Sequence, residues 1–189
     1  MTQLHLDPKL TINETGKYGK GVFAGEDITK GRRIHILGGE PLPLSDMLRR
    51  VLSGAESVDD ALQVGRRTYI DLDKTSRLFN HSCDPNAGIK KVSELFALRN
   101  IMKGEEITFD YSVTVSPTEW EMRCQCGSRK CRGILGDVLT VPKDQMYLYK
   151  TAGALQNYMK ALLKEIESGH YRIPRYEILA LEKLKRHKG

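Results

Sequence analysis

Three cysteines in a C-x-C-x4-C run, Cys124, Cys126 and Cys131, and a fourth far upstream, Cys83, constrain this 189-residue chain more than any other feature. Whatever joins them brings two distant segments together. Two disulfides would need a strained bond if Cys124 paired with Cys126, and no secretory signal points to an oxidising compartment. Four thiolates instead complete one tetrahedral zinc shell at about 2.3 Å per bond. The spacing therefore predicts one structural Zn2+ held by Cys83, Cys124, Cys126 and Cys131. A shell of four protein ligands leaves no position for substrate or water. The same reading places the chain inside the cell, in a reducing compartment, cytoplasmic or nuclear.

The length suits one domain with an appendage. Hydrophobic residues make up 40% and charged residues 29%. No apolar run approaches the eighteen or so residues of a membrane span, so no membrane partner is expected. The net charge of +6 is uneven: residues 142–189 carry ten Lys and Arg against five Asp and Glu, and residues 1–141 carry twenty against nineteen. The end of the chain, Lys185-Arg186-His187-Lys188, is expected to be a solvated basic run with possible nucleic-acid contact as the second reading.

Residues 9–37 read as short strands punctuated by Gly16, Gly19 and Gly31. Between Pro41 and Val64 the spacing of Leu44, Met47, Leu48, Val51 and Leu52 predicts a helix broken at Gly54, and Val58, Ala61 and Leu62 suggest a second short one. Strands are expected again at 67–72, 88–92, 94–99 and 106–110, with a hairpin turn around Ser93. Beyond Val141 the chain reads as helical. Leu155, Tyr158, Met159, Leu162, Leu163 and Ile166 form one apolar stripe ending at Ser168-Gly169, and Pro174 opens a second helix with Tyr176, Leu179 and Leu184. The stripe is expected to pack on the zinc loop or on a second copy.

Three stretches in order, Arg77-Leu78-Phe79-Asn80-His81-Ser82-Cys83-Asp84-Pro85-Asn86, Gly104-Glu105-Glu106-Ile107-Thr108-Phe109-Asp110-Tyr111 and the Cys124–Cys131 run, resemble SET-domain protein lysine methyltransferases with a post-SET zinc loop. A fourth, Tyr18-Gly19-Lys20-Gly21-Val22-Phe23-Ala24, is similar to the family's first S-adenosylmethionine-binding turn. The resemblance covers residues 8–133. It implies a mostly β SET-domain fold of several small twisted sheets with a knot-like crossing, a short mid-chain helical insert, a post-SET zinc loop and C-terminal helices. The expected divisions are a SET domain over 8–112 with its insert at 41–64, a zinc loop over 120–136 and a basic helical extension over 142–189. The connection between Asp71 and Arg77 is shorter than is usual in the family, and no cysteine-rich module precedes the domain, which gives the expectation of a small stand-alone member.

The resemblance also implies roles. Tyr111 is the expected catalytic tyrosine, Tyr69 a second pocket tyrosine, and Phe109 the residue that sets methylation extent. Phenylalanine there leaves no hydroxyl to hold a blocking water, which implies di- or trimethylation. Gly19, Lys20, Gly21, Asn80, His81 and Tyr111 are the expected cofactor-binding residues, with Trp120, Gln125 and Arg132 nearby. The chemistry requires a neutral lysine amine, and reaching it at about pH 7.4 from a pKa near 10.4 costs about 4 kcal/mol. An apolar aromatic channel lowers that cost by disfavouring the ammonium. Glu94, Glu105, Glu106 and Asp110 could favour a basic peptide or be an ordinary solvated charge cluster, and the expected substrate is a basic protein or peptide that presents a lysine, of the chromatin or ribosomal class. The alternative is a zinc-stabilised nucleic-acid or protein binding module without transfer activity.

Overall fold

Glycine turns cut the first part of the chain into four short strands, which are shared among three small sheets. The computed structural model describes residues 8–17, 19–55, 57, 60–118 and 120–172. The helix expected from Pro174 (with Tyr176, Leu179 and Leu184), the basic run 185–188, Tyr18 and Val58 lie outside the described residues. In chain order the elements are β1 (Leu10–Glu14), β2 (Lys20–Ala24), β3 (Arg33–Ile36), β4 (Gly39–Pro43), α1 (Leu44–Leu52), β5 (Ala61–Gly65), β6 (Thr68–Leu72), β7 (Ala87–Lys90), β8 (Glu94–Ala97), β9 (Met122–Arg123), β10 (Ile134–Leu135), α2 (Lys143–Ala152) and α3 (Asn157–Glu167). Four small antiparallel sheets result: β1-β2, β3-β8-β7, β4-β6-β5 and β9-β10.

The mid-chain helix α1 buries Leu44 and Met47. Arg50 reaches from its outer face to Glu40 on β4 and Asp71 on β6, 2.6 Å each, so one side chain fastens the helix to two strands. The second short helix expected around Ala61 and Leu62 is instead β5, whose residues pair across to β6. Three apolar residues over so short a stretch are too few to settle the period, and pairing with β6 decides.

The expected strand over 106–110 is not one. Ile107 donates to the Val22 carbonyl, Phe109 donates to Asn80, and Thr108 accepts from Ala87. Each successive backbone group thus meets a different element, leaving isolated bridges at Phe23–Glu106 and a parallel one at His81–Phe109. This segment runs through the middle of the domain, and a single core surrounds it: Val22, Ile34, Phe79, Ile89, Leu95 and Ile107 are all at most 1% exposed.

That core continues into the C-terminal helices. Tyr149, Ala154, Leu155, Met159, Leu162 and Leu163 belong to it, so the apolar stripe is covered by the domain itself. Burying each Leu or Met side chain contributes about 1.5–3 kcal/mol. The stretch read as helical beyond Val141 holds two helices among the described residues, and the stripe lies on the turn between them and on the second. Gly153, in the left-handed region at φ 70°, ends α2, and Leu155 packs from the turn. At the docking point Gly88 of β7 faces Ala154, where a Cβ on Gly88 would stand 2.6 Å from the Ala154 Cβ. Beside it the fully buried Gln156 donates from Nε2 to the carbonyls of Gln63 (3.0 Å) and Val92 (2.6 Å).

Candidate functional site

The parallel contact between Asn80–Ser82 and Phe109 sets the floor of a cleft of about 290 Å³, lined by Asn80, His81, Tyr111, Met122, Arg123, Cys124, Gln125 and Cys126. One wall is the threaded centre of the domain and the other is the cysteine loop. Tyr111 opens a 3-10 turn, Tyr111–Thr114, capped by the Asp110 carboxylate, which accepts the Ser112 N–H at 3.1 Å. The Tyr111 hydroxyl donates to the Phe79 carbonyl at 2.8 Å. Its single proton is thereby spent, and toward any other group the oxygen can act only as an acceptor. Phe109, 4% exposed, lies against the Tyr111 ring with centroids 4.9 Å apart.

Asn80 is held on the opposite side, its Nδ2 donating to Glu106 Oε1 at 2.7 Å and to the Lys20 carbonyl at 3.1 Å. The glycine turn makes this possible. A Cβ on Gly21 would lie 2.5 Å from Glu106 Oε1 and 2.8 Å from both Asn80 Nδ2 and Thr15 Cγ2. Gly19, at φ 80°, turns the chain, and a Cβ there would face open space. Lys17 spans from this turn to the cysteine loop, its ammonium 3.3 Å from the Cys126 carbonyl.

All four cysteines are free thiols. The sulfurs of Cys83, Cys124 and Cys126 and a His81 ring nitrogen lie within 4.8 Å of one another, a group of donors that could hold a metal ion, with His81 in the place that the sequence spacing gives to Cys131. Cys131 is exposed, yet its thiol interacts with those of Cys124 and Cys126. Hydrogen bonding separates the two. The Tyr111 N–H points at His81 Nδ1 (3.2 Å), which must therefore accept, and the ring proton sits on Nε2, 3.2 Å from Cys83 Sγ. A ligating imidazole binds through its bare nitrogen and donates from the other. With Nδ1 accepting from Tyr111, the neutral tautomer of His81 turns its Nε2–H toward the Cys83 sulfur. Burial and the Arg132 charge lower its pKa to about 3, so the ring is neutral.

Burial also pushes the Cys83 and Cys124 thiols up. At Cys126 burial is outweighed by hydrogen bonds from the Cys83 and Ser128 backbone, which bring the thiol to about 7. Trp120 packs on this cluster with Leu135.

Arg132 joins the cysteine loop to the floor. Its Nε and backbone N–H both donate to Cys83 Sγ at 3.4 Å, and Nη2 binds Asp110 Oδ1 at 2.5 Å. Asp110 is 2% exposed, and burial raises its pKa against the pull of Arg132, the Ser112 N–H and the Tyr149 hydroxyl. From the sequence Asp110 is one of four acidic residues that could favour a basic peptide or stand in solvent. Here Asp110 is internal, Glu94 is bound by Lys90 and Lys91, Glu105 by Arg99, and Glu106 by Asn80. The sequence carries no signal for the Tyr149–Asp110 contact. Tyr69 sits half-buried on β6 between Leu42 and Gln63 and is not among the residues that line the cleft.

Residues 19–112 match the SET domain family model. The chain belongs to the SET-domain family. Among curated relatives it is 34% identical over 140 residues to the variant-silencing SET domain-containing protein of Plasmodium falciparum, an alignment covering 65% of this chain and 5% of that protein. To a histone-lysine N-methyltransferase, H3 lysine-36 specific, of Mycosarcoma maydis it is 33% identical over 138 residues, covering 66% of this chain and 14% of the relative. The SET chain thus spans only a small fraction of these relatives. In structure it is similar to the methyltransferase domain of human histone-lysine N-methyltransferase SETMAR, with a TM-score of 0.55 and 26% identity over 70% of this chain and 59% of that one. The several small sheets and few helices are those of the SET fold.

Proposed function

We propose that the protein is an S-adenosylmethionine-dependent protein-lysine N-methyltransferase acting on a lysine of a basic protein, a histone or another DNA-associated or ribosomal protein. The observation that carries this reading is Tyr111, whose hydroxyl proton is committed to Phe79, leaving an acceptor oxygen at a cleft walled by Asn80 and the cysteine loop. That oxygen orients an arriving amine and stabilises positive charge on it. Phe109 supplies an apolar face without a hydroxyl, which favours the neutral amine by desolvation and fits di- or trimethylation. Tyr69 is the second candidate for the lysine side of the channel.

Gly19, Lys20, Gly21, Asn80 and His81 are the residues proposed to hold the cofactor, with Gly21 acting through the Asn80 and Glu106 side chains it admits. When bound, S-adenosylmethionine supplies a sulfonium methyl: the C–N bond forms as the C–S bond breaks, S-adenosylhomocysteine leaves, and the product amine loses its proton to solvent. The cysteine cluster suits structural zinc. Tetrahedral Zn–S bonds of about 2.3 Å imply sulfurs about 3.8 Å apart, and Cys83 and Cys124 stand 3.7 Å apart. Cys131 is the proposed fourth ligand, because His81 is occupied as a donor. Four reduced cysteines fit a cytoplasmic or nuclear setting.

The test is transfer of labelled methyl from S-adenosylmethionine to core histones, DNA-associated proteins and ribosomal proteins. Tyr111→Phe is expected to lower transfer by about 10²–10³-fold, the cost of losing one preorganised polar group. Undiminished labelling in that variant refutes the assignment of Tyr111, and a product confined to monomethyl-lysine refutes the role given to Phe109.

A further inference from the structure

We propose that Tyr149, on the helix that follows the cysteine loop, is a positioning residue for Tyr111, acting through Asp110; the inference rests on the methyltransferase reading above. The two oxygens of the buried Asp110 carboxylate have separate partners. Oδ1 takes Arg132 Nη2 and the Ser112 N–H, and Oδ2 takes the Tyr149 hydroxyl at 3.1 Å. The Ser112 contact caps the turn on which Tyr111 is the first residue, so the rotation of this carboxylate about its own axis sets where that turn begins.

The direction of the Tyr149 bond is fixed by a third group. Gln145 Nε2, one helical turn earlier, donates to the Tyr149 oxygen at 2.8 Å. An amide nitrogen can only donate, so the hydroxyl proton is left to point at Asp110. Tyr149 is itself 3% exposed in the apolar core, where phenylalanine would fill the same space without a polar atom to satisfy. A hydroxyl there, aimed by one neighbour at one oxygen of the carboxylate preceding Tyr111, is what a positioning role requires. Arg132 extends the same network to Cys83, so helix, cysteine loop and Tyr111 meet at one carboxylate.

The experiment compares the full chain with Tyr149→Phe, reading four quantities: kcat, KM for a methyl-accepting protein, cofactor affinity, and the ring ¹³C resonance of Tyr111, assigned by its disappearance in Tyr111→Phe. The expected result is a fall in kcat of about ten-fold, within the hundred-fold that a 1 Å misplacement can cost. KM and cofactor affinity stay within about two-fold, the pattern of an interaction used only in the transition state, and the Tyr111 resonance shifts. Leu162→Val, a core change on α3, lowers Tm without moving kcat or the resonance. Should Tyr149→Phe fold poorly, Gln145→Leu frees the hydroxyl to turn away and is expected to move both readouts in the same direction. An unmoved Tyr111 resonance, or a fall in kcat matched by Leu162→Val, overturns the proposal. Failure of the wild-type chain to methylate any substrate would instead refute the proposed activity, while the resonance still decides whether Tyr149 positions Tyr111.

Discussion

Replacing Gly88 by alanine tests whether the C-terminal helices are seated on the SET core as closely as described. The added Cβ would stand 2.6 Å from the Ala154 Cβ, 3.0 Å from Leu98 Cδ2 and 3.2 Å from Phe96 Cε1. The last two are ends of side chains that can give way. The Ala154 methyl cannot rotate aside, because it is fixed to the backbone of the turn between α2 and α3. Relief requires that turn to lift from β7, loosening Leu155 and Gln156 beside it. Overpacking of this kind costs about 1–3 kcal/mol, and with the turn rigid we expect about 2, a fall in Tm of about 4–8 °C for a chain of this size. Ala154→Gly alone loses one buried methyl, about 0.8 kcal/mol, and adds backbone entropy of about 0.5–1 kcal/mol. In the double variant the collision is gone, so the two costs combine to less than their sum by at least about 1 kcal/mol, a coupling typical of residues in contact. The assay is urea denaturation of all four proteins with a common m-value. Additive costs would refute the packing argument, as would a Gly88→Ala effect below about 0.5 kcal/mol, the range of ordinary surface changes.

The remaining expectations concern the cleft. Gly21→Ala should separate Asn80 from Glu106 and weaken cofactor binding about ten-fold, the equivalent of about 1.4 kcal/mol, whereas Gly19→Ala, whose Cβ faces open space, should show only the strain of its left-handed φ; calorimetric titration distinguishes them. Cys131→Ser should abolish stoichiometric zinc, while His81→Phe retains the ion; metal content after dialysis decides, and the opposite pattern would make His81 the ligand. In metal-free protein, Cys126 should react with iodoacetamide at a rate that rises with pH to half its limit near pH 7, because its thiolate is favoured there, with Cys83 and Cys124 reacting only at higher pH. Site-resolved mass spectrometry reads all three, and equal profiles would contradict the assignment.

What could be read from residues alone followed local chemistry. Asn80, His81, Cys83 and Tyr111 announce themselves by motif, and the stripe from Tyr158 to Ile166 announces α3 because most of its members are buried on one side. The helix α2 was illegible as a separate element for the converse reason. Tyr147 and Leu148 are exposed, leaving Tyr149 as its buried residue, so no stripe forms. The run Ile107 to Phe109 alternates as a strand should, and both apolar residues are buried, but its backbone bonds are divided among Val22, Asn80 and Ala87. Alternation reports which side chains are buried, not whether a neighbouring strand completes a ladder. The Asp110–Tyr149 bond joins residues 39 apart and depends on where α2 is carried by the cysteine loop. No local pattern encodes it.

The threading of residues 106–110 through the domain centre has a consequence for how the protein comes to be active. The contact that closes the cleft joins Lys17 and Cys126, 109 residues apart, and the one that seats the C-terminal helices joins Gln63 and Gln156, 93 apart. Structures dominated by such distant pairings fold slowly, since chain must be ordered before the contacts reward it. During synthesis the Tyr111 turn emerges well before the helix whose hydroxyl caps its carboxylate, so a nascent chain carries every motif of the family without a finished site. Activity should therefore rise late in refolding, no earlier than the packing of Trp120 on the cysteine cluster, and its recovery would time the docking of the helix that carries Tyr149.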